Sequence, residues 1–130
     1  MFKILFTVSA LAAVGMAIPV RAVPAPAVPD CESLRSDLRT NQSWKSDYTK
    51  DLRSAQYDLQ RANEDYRRAQ EDYRRARTDT ERGYANTRIM FAENAINSAQ
   101  RKVDYANQKI DYYDDRIAAI QDRMSREGCR

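Results

Sequence analysis

Two long stretches of this chain contain neither glycine nor proline, and each carries apolar side chains at alternating spacings of four and three residues. They cover 31–77 and 84–127. A spacing that averages 3.5 residues over about six heptads is typical of a coiled-coil seam, along which one helix packs against another. The sequence therefore predicts two long helices and no large globular core.

Only two polar residues, Asn41 and Lys45, interrupt the seam of the first stretch. Its apolar members are Leu34, Leu38, Tyr48, Leu52, Ala55, Leu59, Ala62, Tyr66, Ala69, Tyr73 and Ala76. The second seam is uninterrupted and consists of Ala85, Ile89, Ala92, Ile96, Ala99, Val103, Ala106, Ile110, Tyr113, Ile117, Ile120 and Met124. We label heptad positions a to g, with the larger seam residues at a and most of the alanines at d.

The two seams match when the chain folds back on itself. Large a residues of one helix then face small d residues of the other, as in Tyr66 with Ala92, and this alternation lets the helix axes approach closely. Ala76 and Ala85 hold equivalent heptad positions but are nine residues apart, which is not a multiple of seven. On one continuous helix the two seams would therefore lie on different faces. We predict a turn over 78–83 between a helix over 31–77 and a helix over 84–127.

Charges beside the seam favour the same pairing. Position g is mostly aspartate on the first helix and mostly lysine or arginine on the second, and g positions face each other in an antiparallel pair. The predicted neighbours are Asp72 with Arg88, Asp58 with Lys102, Asp51 with Lys109, Asp37 with Arg123, and Trp44 with Arg116. Because an exposed ion pair contributes only about 0.2–1 kcal/mol, we expect these pairs to select orientation more than to stabilise the fold.

The two cysteines lie at the open end of such a hairpin. Cys31 and Cys129 face each other when the chain folds about residue 80, and cysteines of an exported chain are expected to pair. The predicted fold is all-α: an antiparallel two-helix coiled-coil hairpin closed by a disulfide. One long helix forming a parallel dimer is the alternative fold. A register shifted by one heptad, with the turn near Gly83, is also left open.

The N-terminal 1–22 read as a signal peptide, because Lys3 precedes an apolar run and a small-residue cleavage pattern ends at Ala22. We expect a secreted or periplasmic protein of the cell envelope. An uncleaved membrane anchor is the main alternative, since about 17 apolar residues reach the lower limit of a spanning helix. The mature chain would carry 20 basic and 19 acidic residues, which is close to neutral.

A proline-rich stalk or linker over 23–30 is predicted between the leader and the helices, because its alternating prolines favour extended polyproline II. Asp30 follows Pro29 where a helix N-cap is expected. Gly128 follows the last helical stretch, where a helix C-terminus favours a left-handed residue. The helical hairpin is therefore predicted over 31–129.

The residue inventory argues against an enzyme. The chain has no histidine, so histidine-based metal sites and nucleophile–histidine pairs have no donor. A narrow two-helix rod also offers no deep cleft for catalysis. We predict no catalytic residue, no cofactor and no metal site.

Two surface features are candidates for function. The first is a stripe of aromatic residues at position c of the second helix: Tyr84, Phe91, Tyr105 and Tyr112. Aromatic residues at heptad spacing on a rod predict a docking face for a protein partner or another copy.

The second surface feature is an outward arginine strip on the first helix, whose polyanion candidates are Arg61, Arg67, Arg68, Arg74 and Arg75. A solvated face is the simpler interpretation of that strip in a near-neutral chain, so nucleic-acid binding is not expected.

The sequence therefore predicts an exported, non-enzymatic structural or interaction protein that binds a partner or self-associates along the second helix. A periplasmic holdase-type chaperone is one alternative, and a membrane-tethered envelope spacer is another. Polyanion binding through the arginine strip ranks lower.

The export prediction is tested by sequencing the N-terminus of the protein recovered from its host. We expect the mature chain to begin at Val23, or after Ala17 if cleavage is earlier, and its non-reduced mass to lack two thiol hydrogens. Recovery of a chain that retains Lys3 would contradict cleavage and favour the membrane-anchored alternative.

Overall fold

The computed structural model describes residues 30–129, which form two α-helices. Helix α1 is Cys31–Arg75 and helix α2 is Asp79–Arg126. The predicted signal peptide, residues 23–29 of the predicted stalk and the C-terminal Arg130 lie outside the described residues. The all-α prediction is confirmed for the described part of the chain, in which two helices replace the single long helix of the alternative.

The helices pack against each other and run in opposite directions. Near the turn, Arg88 of α2 donates a hydrogen bond to Asp72 of α1. Toward the other end, Arg116 Nε donates to Asn41 Oδ1 at 3.3 Å. Cys31 and Cys129 lie at disulfide distance at the open end, with Cα atoms 5.5 Å apart. These contacts fit the register that folds about residue 80, not the register shifted by one heptad.

Burial follows the predicted seam. Its alanines within the two helices are almost fully covered, from Ala69 at 1% exposed to Ala92 at 7%, whereas Ala76, just after α1, is half-buried. The larger a residues, such as Leu52 and Ile96, are half-buried because two helices cover a large side chain from one side only. Tyr73 is the exception among the seam residues, at 44% exposed. The buried core is thus built chiefly from alanines, with Leu34 at the open end.

The two polar interruptions of the seam are both satisfied. Asn41 is 7% exposed, and its Nδ2 donates to the Asp37 backbone oxygen at 2.7 Å while its Oδ1 accepts from Arg116. Lys45 Nζ lies 2.5 Å from Asp114 Oδ1 on α2. A buried polar group costs little once it is hydrogen-bonded, and one polar seam layer commonly fixes the register of a coiled coil.

Both predicted end signals are confirmed. The Asp30 carboxylate accepts a hydrogen bond from the Ser33 backbone N–H at 3.1 Å, which caps α1. At the end of α2, Gly128 has φ +70°, the Cys129 N–H donates to Met124 O at 2.9 Å, and the Gly128 N–H donates to Ser125 O at 3.3 Å. These two bonds form a Schellman motif. The motif turns the chain back so that Cys129 reaches Cys31.

The predicted helix bounds are wrong at the turn. Helix α1 ends at Arg75, and α2 begins at Asp79, so the connection is 76–78 and residues 79–83 are helical. Thr78 is the N-cap of a capping box: its Oγ1 accepts from the Glu81 N–H, and Glu81 Oε2 accepts from the Thr78 N–H, both at 3.1 Å. Hydrogen bonds from the Arg77 and Thr78 backbones lower the pKa of Glu81. Because this box starts the helix, Gly83 is an interior residue of α2.

Two of the four predicted charge pairs form. Arg88 pairs with Asp72, and Lys102 Nζ lies 3.8 Å from Asp58. Arg123 instead pairs with Glu127 of its own helix at 2.7 Å, and that carboxylate raises the pKa of Arg123. The fourth pair, Asp51 with Lys109, is also absent, because Lys109 lies over tyrosine rings. The predicted contact of Trp44 with Arg116 is replaced by contacts of Arg116 with Asn41 and Tyr112.

The two described glycines should respond in opposite directions to substitution by alanine. A Cβ at Gly83 would meet nothing within 4 Å, and alanine is a better helix former by about 0.5–1 kcal/mol. We therefore expect Gly83→Ala to stabilise the protein. Gly128→Ala should destabilise it, because φ +70° strains any residue with a side chain.

The measurement is urea unfolding of the oxidised protein followed by circular dichroism. Thr78→Ala is the companion variant, and it should cost about 1 kcal/mol by removing the N-cap of α2. A Gly83→Ala variant that is less stable than the parent protein would place Gly83 in the turn after all.

Candidate protein-binding face

A shallow groove runs along one side of the hairpin between the two helices. We define it by four adjoining concavities. The first, at the turn, has a volume of about 720 Å³ and is lined by Ala76, Tyr84 and Ala85 among others. The next three share lining residues such as Ala62 and Lys102 and extend to Ala106. They form one continuous surface.

The groove exists because the d residues are small. Position d lies next to g around a helix, and here d is alanine on both helices from the turn as far as Ala55 and Ala106. A methyl side chain fills the space between the axes but leaves the surface above it open. The acidic g row of α1 and the basic g row of α2 form its two walls. Ala95 interrupts the basic row, so Asp65 faces no cation across the groove, and its ion pair is with Arg68 of its own helix at 3.9 Å.

Three of the four predicted docking residues line this groove. Tyr84, Phe91 and Tyr105 are 73%, 70% and 53% exposed, and each lies on the α2 rim. Met90, beside Phe91, is 57% exposed. Phe91 lines one concavity together with Ala62, Ala92 and Ala95, so its ring borders a floor of alanines.

Tyr112 belongs to a different cluster near the open end, which the sequence did not predict. Its ring lies edge-on to Tyr113 at 5.1 Å, and Tyr113 stacks on Tyr48 of α1 at 5.8 Å. Tyr105 also meets Tyr48, edge-on at 6.1 Å. Other rings of the same chain therefore cover part of Tyr105 and Tyr112, although both remain about half exposed.

Two cations border this tyrosine cluster. Lys109 Nζ lies 5.4 Å from the Tyr105 ring centroid and 6.0 Å from that of Tyr112. The Arg116 guanidinium lies 5.7 Å from the Tyr112 centroid and donates to its hydroxyl at 3.2 Å. Cation–π contacts of this length are attractive. They explain why Lys109 does not pair with Asp51 and why Arg116 does not contact Trp44, as the sequence predicted.

The arginine strip divides between the groove and the outer surface. Arg61 and Arg75 line the groove; Arg61 lies 5.9 Å from the Tyr57 ring centroid, and Arg75 pairs with Glu71 at 2.5 Å. Arg68 has its weak ion pair with Asp65. Arg67 and Arg74 are exposed, and within residues 30–129 no ion pair of theirs is formed at 4 Å or less.

Other kinds of site have little support in the described part of the chain. Within residues 30–129, no group of three or more histidine, cysteine, aspartate or glutamate residues is placed to hold a metal ion. Over the same range, neither helix has the length and hydropathy needed to cross a membrane. No protein-family model matches the sequence, and neither a curated protein nor a solved structure shows significant similarity to it.

The groove had a signal in the sequence that heptad counting alone did not use. Positions d, g and c lie side by side on a helix, so alanine at d together with aromatic residues at c of α2 marks a lined groove. The tyrosine cluster had no comparable signal, because Tyr48 and Tyr105 are not partners in any predicted layer.

The tyrosine cluster makes a titration prediction. Hydrogen bonding with Tyr105, partial desolvation and the nearby Tyr113 and Asp51 raise the pKa of Tyr48 above its ordinary value of 10.0. The contact stabilises the neutral phenol, so its contribution is full below pH 10 and is lost as pH rises through the higher folded-state value. We expect Tyr48→Phe to remove the last tyrosine to ionise in an ultraviolet titration.

Tyr57→Phe is the matched control, since Tyr57 is 60% exposed and lies outside the cluster. It should leave that last step in place. If both variants lost the last tyrosine ionisation, the raised pKa could not be assigned to Tyr48 and its cluster.

Proposed function

We propose that this chain is an exported, non-enzymatic coiled-coil hairpin that works by binding protein through the groove and its aromatic rim on α2. The observation that carries the proposal is Phe91, 70% exposed and bordering an alanine floor. Together with Met90 and the alanine floor, Phe91 forms a contiguous apolar patch, and patches of this kind rimmed by polar residues commonly mark protein-binding sites. A groove between helices, lined by small residues and flanked by charge, suits an amphipathic helix of a partner or of another copy.

The cell-envelope setting rests on two supports. The leader over 1–22 has the features of a signal peptide. Cys31 and Cys129 lie at disulfide distance, and structural disulfides are typical of oxidising compartments and rare in reducing ones. In the chain-entropy model, closing a loop of 98 residues stabilises the fold by about 4–5 kcal/mol. We propose that the secreted or periplasmic protein depends on this bond to hold its open end together.

The other functions stay weaker predictions. A holdase needs helices that splay to expose their seam, whereas Leu34, in the first turn of α1 at the open end, is only 6% exposed. Polyanion binding needs a strip of available cations, whereas Arg75 is paired and Arg61 contacts a ring. The envelope spacer depends on an uncleaved leader, which N-terminal sequencing decides.

The proposed function is tested by site-specific photo-cross-linking in the exporting cell. Benzoyl-phenylalanine at position 91 should cross-link to protein, because that side chain would lie in the interface. The same probe at position 57 is the matched control, since Tyr57 is also an exposed aromatic residue but lies outside the groove. Cross-linking that is absent at 91, or equal at the two positions, would contradict binding through the groove.

A further inference from the structure

The aromatic rim of α2 and the arginine row at position c of α1 lie on opposite sides of the groove; Arg61 and Arg75 line it, and Arg68 lies between them in the same row. The rim carries Tyr84, Phe91 and Tyr105, and the facing row carries Arg61, Arg68 and Arg75. Within one hairpin the groove keeps the two rows apart. Neither Tyr84 nor Phe91 lies in a cation–π contact within residues 30–129.

The two rows are in step along the hairpin. Arg88 pairs with Asp72, which fixes one level. Arg68 lies four residues before Asp72, and Phe91 lies three residues after Arg88, so these two side chains share the next level. Arg75 and Tyr84 share a level beyond the Asp72–Arg88 pair in the same way. An arginine of α1 and an aromatic residue of α2 thus lie at the same level along the hairpin axis, on opposite sides of the groove, at two successive levels.

A second copy of the chain can meet this surface in two simple symmetric ways. In both, the groove sides of the two hairpins face each other. In the along-axis arrangement, the two-fold axis is parallel to the helices, so each α1 faces α2 of the other copy and both turns lie at the same end. In the across-axis arrangement, the two-fold axis is perpendicular to the helices and lies between the two groove sides, so α1 faces α1 of the other copy and the turns lie at opposite ends.

Charge decides between the two arrangements. The across-axis arrangement sets the aspartate row of α1 against the same row of the other copy, and its arginines against arginines. The along-axis arrangement sets Asp58 and Asp72 against the basic α2 row of the other copy. It also brings Arg68 over Phe91 and Arg75 over Tyr84 of the second copy, twice each by symmetry, in cation–π geometry.

We propose that the occupant of the groove is a second copy of this chain, packed side by side with both turns at the same end and α1 of each copy against α2 of the other. The inference rests on the proposed function and names its partner. It accounts together for two surface features that a single hairpin leaves unexplained. The product is a four-helix bundle whose centre contains the alanines of both hairpins.

The test uses the purified, oxidised mature protein. Sedimentation should show a monomer–dimer equilibrium, and Phe91→Ala and Arg68→Ala should each raise the dimer dissociation constant at least about fivefold. The matched controls are Tyr57→Ala and Arg67→Ala, an exposed aromatic residue and an exposed arginine outside the groove. They should leave the constant unchanged, and circular dichroism should show equal helicity in all four variants.

The orientation is tested by the distance between spin labels placed at position 79, beside the turn, by chemistry that spares the cysteines. The same-end dimer predicts a label separation below about 30 Å, because the two labels lie at one level. Opposite-end packing predicts about 40 Å when only the grooves overlap, since the groove ends 27 residues further along α2 at Ala106, and about 70 Å when the whole 48-residue helices overlap. Either longer distance would overturn the proposal, as would equal effects of Arg68→Ala and Arg67→Ala.

A monomer at every concentration would also overturn it. In that event, a cross-link from position 91 to a different protein would leave the proposed function standing with another partner. Cross-linking to no protein would remove both.

Discussion

The structure depends on alanine at position d of both helices. Each alanine faces a larger residue of the opposite helix, so the axes approach closely in the half of the hairpin nearer the turn. This packing covers the alanines almost completely, whereas the larger a residues stay half-buried. The same small side chains leave the groove open above them. Alanine at position d thus determines both the close packing of the two helices and the position of the groove.

Register is fixed by features placed along the hairpin. The capping box of Thr78 and Glu81 starts α2 directly after the turn. The Asp72–Arg88 pair and the polar layer of Asn41 with Arg116 hold the arms in step. At the open end, the Schellman motif at Gly128 directs Cys129 toward Cys31. Because exposed ion pairs contribute little each, selection of the pairing comes from several weak preferences that agree.

The sequence was informative wherever a periodic pattern or a local signal decided the structure. The seam, the cap at Asp30, the left-handed Gly128 and the meeting of the cysteines all follow from such signals. Gly83 misled the prediction of the turn, because the capping box five residues earlier outweighs the low helix propensity of one glycine. Lys45 with Asp114 and the tyrosines around Tyr48 were missed, since long side chains reach across layers that heptad counting treats as separate. To predict the groove from the sequence, the adjacent heptad positions d, g and c must be compared with one another, and the seam positions a and d alone are not enough.

The most direct test of the account is the distance between probes at positions 40 and 118, one on each arm, in labelled protein diluted into an excess of unlabelled protein. The antiparallel hairpin places these exposed positions at one level, so we expect a separation below about 30 Å, given axes about 8–10 Å apart. One continuous helix would separate them by about 117 Å. A distance near that larger value would contradict the hairpin and, with it, the groove on which the functional proposals rest.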